Sequence, residues 1–176
     1  TGTTDSLITI SNENRQAIES QIEAAEENGE KFAGFTYNES KSTITGKISA
    51  TNTLELTIYY DRNEYELELF KGTGIYSISG TKINESTLTG RFYYNEPITI
   101  NAEPNLGYSF VRWASSDTGK LNDILLKNPT FNMPLLPAGG RIALTAEAEP
   151  NITYEIEYTG LEGANYAEGE ENPTSY

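Results

Sequence analysis

Polar and apolar residues alternate one by one over long stretches of this sequence, and this pattern limits most strongly what the chain can fold into. In one stretch, Tyr65, Leu67 and Leu69 alternate with glutamates. The same alternation recurs at residues 54–58, 98–102, 142–148 and 152–158. Because successive side chains of a strand point to opposite faces, each stretch predicts a strand with one buried and one solvated face. Such strands are typical of antiparallel sheets, so we predict a mainly β protein.

One stretch, residues 11–28, instead has the spacing of an amphipathic helix. Ser11 is suited to cap its N-terminus, and Gly29 follows as the expected C-terminal stop. The apolar stripe consists of three residues on one face: Ile18, Ile22 and Ala25. The opposite face carries four glutamates: Glu19, Glu23, Glu26 and Glu27. We therefore predict a single helix whose narrow apolar stripe rests on a sheet, which makes the fold α+β in detail.

The charge of the chain limits its partners. The sequence has 26 acidic and 12 basic residues, a net charge of −14. Nucleic acid requires a cationic surface, so we expect no nucleic-acid partner. No stretch approaches the roughly 18 apolar residues of a transmembrane helix, so we expect no membrane insertion of this segment.

Catalytic and metal-binding chemistry find little support in the sequence. Histidine and cysteine are absent, which removes the commonest general base, thiol nucleophiles and most zinc sites. The glutamates alternate on exposed strand faces, where solvated carboxylates are poor acid–base catalysts. Residues 115–119 favour a turn over a calcium loop, and the acidic tail favours a solvated segment. We predict a protein that is not an enzyme and has no catalytic residue, cofactor site or metal site.

Four motifs in the middle of the chain occur in a characteristic order. They are PITINAEP at residues 97–104, GYSFVRW at 107–113, NPTFNMP at 128–134 and IALTAEA at 142–148. This order resembles the divergent internalin-B-type repeat, also called the Listeria–Bacteroides type, of bacterial surface proteins. The resemblance covers about residues 63–150 and implies a small β module there.

Several residues of these motifs are predicted to be structural: Gly107, Tyr108, Phe110, Trp113, Phe131, Met133 and Pro134. Gly107 supplies the turn geometry before a strand. In the resembled repeat, the aromatic positions anchor the core, and we favour that role for Trp113 over a sugar-stacking platform. Simple alternation places Phe110 on one face of the strand and Val111 and Trp113 on the other.

The first part of the chain has a different pattern. FTYN at residues 35–38 leads to STITG at 42–46 and LTIYYDRN at 56–63. This pattern resembles mucin-binding-protein-type modules of Gram-positive surface proteins. The resemblance implies a β-grasp-like module at residues 1–62, with the helix across its sheet and with its usual first strands missing.

The last part, residues 151–176, resembles the opening of a further Listeria–Bacteroides-type repeat. Its alternating strand pattern is followed by a glycine-containing turn and the sequence NPTSY at 172–176. One module thus lacks its beginning and another its end. One hypothesis is that the tail of one copy completes the head module of the next by strand donation. The alternative is that the limits of the chain cut through repeats.

Taken together, these patterns predict tandem small β modules from a bacterial extracellular protein at the cell surface or wall. The expected function is structural, as a stalk, spacer or fibre subunit that contacts adjacent repeats or other copies of itself. The alternative is an adhesive module that binds mucin, another glycan or a host protein. For that alternative we predict a surface aromatic site at Tyr60 and Tyr94, one member of each tyrosine pair.

Overall fold

The computed structural model describes residues 5–25 and 31–153, and this part of the chain is mainly β. The described part has one helix, α1 (Asn12–Ala25). The first strands are β1 (Leu7–Thr9), β2 (Phe35–Thr43), β3 (Thr45–Lys47) and β4 (Thr57–Arg62). The later strands are β5 (Glu64–Lys71), β6 (Ile75–Gly80), β7 (Thr89–Tyr93), β8 (Pro97–Pro104), β9 (Tyr108–Ser115), β10 (Thr130–Asn132) and β11 (Arg141–Pro150).

The start of α1 agrees with the prediction. The Asn14 backbone N–H donates to Ser11 Oγ at 3.2 Å, and the Arg15 N–H donates to the Ser11 carbonyl oxygen at 2.9 Å. Ser11 is therefore the N-cap, because its side chain satisfies an amide that has no partner within the helix. The helix ends at Ala25 in the described residues; the predicted end at residue 28 and the stop at Gly29 lie outside them.

The predicted orientation of α1 is correct for Ile22, which is half-buried, but wrong for Ile18, which is 40% exposed. The other half-buried side chains of the helix are charged: Arg15, Glu19 and Glu23. Arg15 and Glu19 form an i,i+4 ion pair, and the Arg15 guanidinium lies 4.3 Å from the centre of the Tyr37 ring. A paired arginine buries its aliphatic stem and stacks its planar head on an aromatic ring, so this polar pair takes the inward position that was predicted for Ile18.

Strands β1 to β4 form two antiparallel ladders. β1 pairs with β3, and β2 pairs with β4, with Tyr37 opposite Tyr60. Among the described residues up to Arg62, no hydrophobic side chain is fully buried. The strands up to Arg62 thus form two separate ladders. The β-grasp-like module at residues 1–62 stays a prediction.

Strands β5 to β11 form two sheets around one core. One sheet has the order β7-β5-β11-β9, and the other has the order β10-β8-β6. Both sheets contribute to a single buried cluster: Tyr65, Leu67, Leu69, Ile75, Ile78, Phe92, Ile98, Ile100, Ala102, Trp113, Met133, Leu136, Ile142, Leu144 and Ala146. Alternating apolar residues of β5, β8 and β11 supply much of it, which confirms the predicted inward faces of these strands.

One strand pairing departs from the antiparallel expectation. β11 pairs with β5 in parallel, from Arg141 opposite Glu66 to Ala146 opposite Lys71. This parallel pair lies in the middle of the four-stranded sheet, with β7 and β9 at its edges. The predicted strand at residues 152–158 is not seen where the structure describes it, because Ile152 lies outside β11 and is 77% exposed; residues 154–158 fall outside the described part.

A β-bulge changes the predicted faces of β9. Its pairing with β11 passes from Arg112 opposite Glu147 to Phe110 opposite Ala148, so Val111 is an extra residue. An extra residue reverses the alternation beyond it. Phe110 and Trp113 therefore contact each other, with ring centres 6.1 Å apart, while Val111 is 38% exposed. The prediction that Phe110 and Trp113 lie on opposite faces is wrong for this reason.

Candidate functional site at the junction of the two segments

Asn63 joins the N-terminal ladders to the two-sheet unit. It is the single residue between β4, which ends at Arg62, and β5, which begins at Glu64. Its N–H donates to the Gly34 carbonyl oxygen at 2.7 Å, and its own carbonyl oxygen accepts from the Tyr94 N–H at 2.8 Å. The backbone therefore passes from one segment to the other with its hydrogen bonds satisfied on both sides.

Side chains close the same joint. Thr36 Oγ1 donates to Asn63 Oδ1 at 2.6 Å. Gly34 has a φ of +76°, and a β-carbon placed on it would lie 2.1 Å from Cδ1 of Tyr94. Glycine is thus required at position 34 by both backbone conformation and contact. The sequence offers only the tyrosine pair as a hint of this contact, since Gly34 and Tyr94 are sixty positions apart.

The structure separates the members of the two tyrosine pairs. Tyr60 is half-buried, donates its hydroxyl to Glu19 and packs against the Phe32 ring at 4.7 Å between centres. Desolvation under the helix, followed by the hydrogen bond to Glu19, raises the pKa of Tyr60. Tyr94 is also half-buried, against the core of the two-sheet unit.

The other members of the two pairs face solvent. Tyr59 is 51% exposed and Tyr93 is 44% exposed. Strand alternation requires one tyrosine of each pair to face outward, but sequence reasoning selected Tyr60 and Tyr94 without a signal that could decide between the two. Tyr59 and Tyr93 are therefore the more exposed members of the two pairs, and the aromatic site at Tyr60 and Tyr94 stays a prediction.

An open cleft of about 590 Å³ lies at this junction. Its lining residues are Phe35, Lys41, Tyr60, Asp61, Arg62 and Tyr93. Lys41 Nζ lies 2.6 Å from Asp61 Oδ1, and Asn38 donates to the other carboxylate oxygen. The hydrogen bond from Lys41, followed by that from Asn38, lowers the pKa of Asp61, so this carboxylate is ionised at neutral pH.

The residues predicted to be structural surround the core of the two-sheet unit. Trp113 and Met133 are buried, whereas Tyr108, Phe110, Phe131 and Pro134 are half-buried. Trp113 Nε1 donates to the Lys127 carbonyl oxygen at 3.2 Å, so its polar atom is satisfied inside. Gly107 has a φ of +82° in the turn before β9. Because Trp113 is fully buried, it has no exposed surface on which a sugar could stack.

In the described ranges 5–25 and 31–153, no group of three or more histidine, cysteine, aspartate or glutamate side chains is placed to hold a metal ion. The same residues include no helix long and apolar enough to cross a membrane. The junction cleft is therefore the feature that combines exposed aromatic rings with charged groups in the described structure.

Residues 76–152 match the family described as the divergent InlB B-repeat domain. The predicted internalin-B-type resemblance is confirmed over these residues, which carry a repeat of the bacterial surface-protein type. The match begins after β5, although β5 lies between β7 and β11 in the sheet. The resemblances proposed for residues 1–62 and 151–176 stay predictions. Neither the curated proteins nor the solved structures include a match to the chain.

Proposed function

Because residues 76–152 carry a surface-protein repeat, we propose that this chain is a load-bearing spacer in an extracellular stalk on a bacterial cell. The proposal assigns it no catalytic role. Its main support is the parallel pairing of β5 with β11 in the centre of the sheet. This pairing joins the first and last strands of the two-sheet unit.

The direction of the two strands decides how tension acts on the unit. The chain enters β5 beside Gly140 and the start of β11, since the Glu66 N–H donates to the Gly140 carbonyl oxygen at 3.2 Å. It leaves at the opposite pole, where the Asn151 N–H donates to the Gly107 carbonyl oxygen at 2.8 Å. Tension between these poles pulls β5 and β11 past each other along their length.

Such shear loads all the hydrogen bonds between the two strands together. Six residue pairs are in register between β5 and β11. For the strands to slide, these contacts must break at the same time, whereas peeling from one end would break them one after another. The buried side chains of Leu67, Leu69 and Leu144 would also have to leave the core. The unit is therefore built to resist tension between its ends.

The junction and the surface fit the same role. Asn63 and the Gly34–Tyr94 contact give a short link with little room for bending. Glutamates on the outward faces of the strands account for much of the net charge of −14. Like charges on neighbouring chains repel each other and oppose aggregation along exposed strand edges.

Single-molecule force spectroscopy tests the proposal, with handles on engineered cysteines because the chain has no native cysteine. Arg62→Cys combined with Ile152→Cys applies shear to β5 and β11. Arg62→Cys combined with Ala138→Cys pulls at the shared pole and unzips the two strands. We expect a clearly higher unfolding force in the first geometry. Equal forces, or a lower force in shear, would contradict the load-bearing role.

Self-assembly by strand donation is a separate and finer proposal. The donor would be the tail, of which residues 154–176 lie outside the described structure. Mass measurement in solution and electron microscopy of the full chain, compared with a chain lacking residues 154–176, decide it. Oligomers that disappear with the tail would support polymerisation. A monomer in both cases would leave a spacer that does not polymerise through this segment.

A further inference from the structure

Arg62 differs from every other arginine of this acidic protein. The other four each lie within ion-pair distance of at least one carboxylate: Arg15 with Glu19, Arg91 with Glu64 and Glu66, Arg112 with Asp123 and Glu147, and Arg141 with Glu68. Within residues 5–25 and 31–153, Arg62 makes no such pair. The described part of this acidic chain thus keeps one guanidinium available, and it lies at the junction cleft.

The surroundings of Arg62 are aromatic. Its guanidinium carbon lies 5.2 Å from the centre of the Tyr93 ring, and Phe35 is its partner across the β2–β4 ladder. Tyr93 is 44% exposed and Phe35 is 38% exposed. Stacking on Tyr93 restricts the guanidinium plane, so less conformational freedom is lost when it binds a ligand.

The charged neighbours of Arg62 are already engaged. Asp61 is held by Lys41 and Asn38, and Glu64 accepts from Arg91 Nε at 2.7 Å. Glu96 is attracted electrostatically by Arg62, but its ion pair is with Lys82. The cleft lining itself has two positive charges and one negative charge, in a chain whose net charge is −14. The cleft is therefore locally cationic and suited to an anionic group.

We propose that this cleft binds an acidic sugar, meaning a pyranose ring that carries a carboxylate. The planar guanidinium of Arg62 binds the carboxylate through two parallel hydrogen bonds. The exposed rings of Tyr93 and Phe35 pack against the apolar faces of the sugar, and Lys41 with Asp61 supplies partners for its hydroxyl groups. The open shape of the cleft suits a ligand that remains partly solvated.

This site is independent of the load-bearing role, since it uses the side chains at the joint and not the β5–β11 pairing. It also differs from an aromatic site at Tyr60 and Tyr94. Tyr60 lines the cleft but is half-buried, and Tyr94 does not line the cleft. The determining residue is Arg62, supported by Tyr93.

The test is a titration of the full chain, followed by NMR chemical shifts, with sialyllactose as the acidic probe and lactose as its neutral counterpart. Because a hydrogen bond to a charged group is worth more than one between neutral groups, we expect sialyllactose to bind about ten-fold more tightly or better. The shifts should map to Phe35, Arg62 and Tyr93, and added salt should weaken binding.

Matched variants separate the site from general charge effects. Arg62→Gln should remove the preference for sialyllactose, whereas Arg112→Gln, which removes the same charge from an arginine paired with Asp123 and Glu147 outside the cleft, should retain it. Tyr93→Leu should weaken binding of both sugars, whereas Tyr76→Leu, at an exposed tyrosine outside the cleft, should not. Thermal unfolding followed by circular dichroism verifies that each variant is folded.

Three results would overturn the proposal. They are equal binding of sialyllactose and lactose, binding unaffected by Arg62→Gln, and an absence of shifts at the cleft with millimolar sialyllactose. A further titration uses a short peptide with a free C-terminal carboxylate. Binding of that peptide without binding of sialyllactose would reassign the cleft to peptide termini and would refute the sugar.

Discussion

Tyr94 lies so close to Gly34 that a β-carbon added to Gly34 would come within 2.1 Å of the tyrosine Cδ1 atom. The two residues belong to different segments, Gly34 just before β2 and Tyr94 just after β7. Their contact lies beside Asn63, whose backbone bonds to both residues. The joint between the segments is thus held by backbone hydrogen bonds and by direct packing.

Gly34→Ala should weaken this joint. The substitution places an alanine at a φ of +76° and forces the Tyr94 ring to move. We expect a loss of about 2–4 kcal/mol in the free energy of unfolding, measured by urea denaturation. Gly107→Ala is the control, since Gly107 has a φ of +82° but nothing within 4 Å of the added carbon. It should lose only about 1 kcal/mol, from the backbone alone.

A double-mutant cycle checks the cause of that loss. In a chain that already carries Tyr94→Ala, Gly34→Ala should cost little more than the backbone strain, because the ring it would strike is gone. An equal cost of Gly34→Ala with and without the Tyr94 ring would show that the ring moves aside freely. The joint would then not depend on this contact.

Trp113→Ala should destabilise the two-sheet unit severely. The side chain is fully buried against Phe110, so its loss leaves a large cavity and should cost about 3–5 kcal/mol. Val111→Ala, two residues away at the exposed bulge, should change stability by less than about 1 kcal/mol. Urea denaturation should be followed by circular dichroism and not by tryptophan fluorescence. Trp113 is the only tryptophan of the chain, so the Trp113→Ala variant has no such fluorescence. Similar losses for the two variants would contradict the assignment of Trp113 to the core.

A fragment of residues 63–153 should fold, whereas a fragment of residues 76–153 should not. The shorter one corresponds closely to the family match but lacks β5, which lies between β7 and β11 and buries Tyr65, Leu67 and Leu69. Without it, the buried faces and the backbone groups of both neighbours are exposed. Dispersion of amide resonances in NMR spectra distinguishes the two states. Native-like dispersion from residues 76–153 would show that β5 is dispensable.

Acid should lower the stability of the turn after β7 by protonating Glu96. The ion pair with Lys82, followed by the hydrogen bond from the Tyr93 N–H at 2.9 Å, lowers the pKa of Glu96 below its ordinary value of 4.5. The unfolded chain therefore binds a proton more readily than the folded chain. This contribution to stability is complete above the ordinary pKa and is lost as the pH falls through the lower, folded pKa.

Glu96→Gln should accordingly cost about 1–2 kcal/mol at pH 7 and progressively less at more acidic pH, since the carboxylate is 15% exposed and hydrogen-bonded. Urea denaturation between pH 7 and pH 3 measures the difference. Glu55→Gln, at an exposed position, should have little effect at either pH. A difference that grows in acid would mean that the sign of the linkage is wrong.

Alternation identified three of the strands that form the core, whereas the strand predicted at residues 54–58 begins only at Thr57 and adds no fully buried residue. On β5, β8 and β11 the apolar residues predicted to face inward are the buried ones, because one buried face imposes a period of two on the sequence. The same reasoning failed where a local change broke the period. The extra residue Val111 places Phe110 beside Trp113, and nothing in the sequence around it marks a bulge.

The helix and the tyrosine pairs were harder to predict because their burial depends on partners distant in sequence. Arg15 and Glu19 face inward because Tyr37 and Tyr60 provide a ring and a hydroxyl on the opposing ladder. Ile18 does not compete with these contacts and is exposed, whereas Ile22 is half-buried as predicted. The Tyr94 ring packs against Gly34, where a side chain would leave no room for it, and Tyr93 is exposed. Gly34 lies about sixty positions from both tyrosines in the sequence.

The sequence by itself determined the class of this protein: its mainly β content, the inward faces of β5, β8 and β11, the helix cap at Ser11 and the internalin-B-type repeat, predicted at about 63–150 and confirmed over 76–152. These features depend on neighbours within a few residues, so a local pattern carries them. Only the tertiary structure decided that β5 and β11 run in parallel and that Arg62 stacks on Tyr93 without a carboxylate partner among residues 5–25 and 31–153. Both depend on which distant residues meet, and local periodicity contains no information on that.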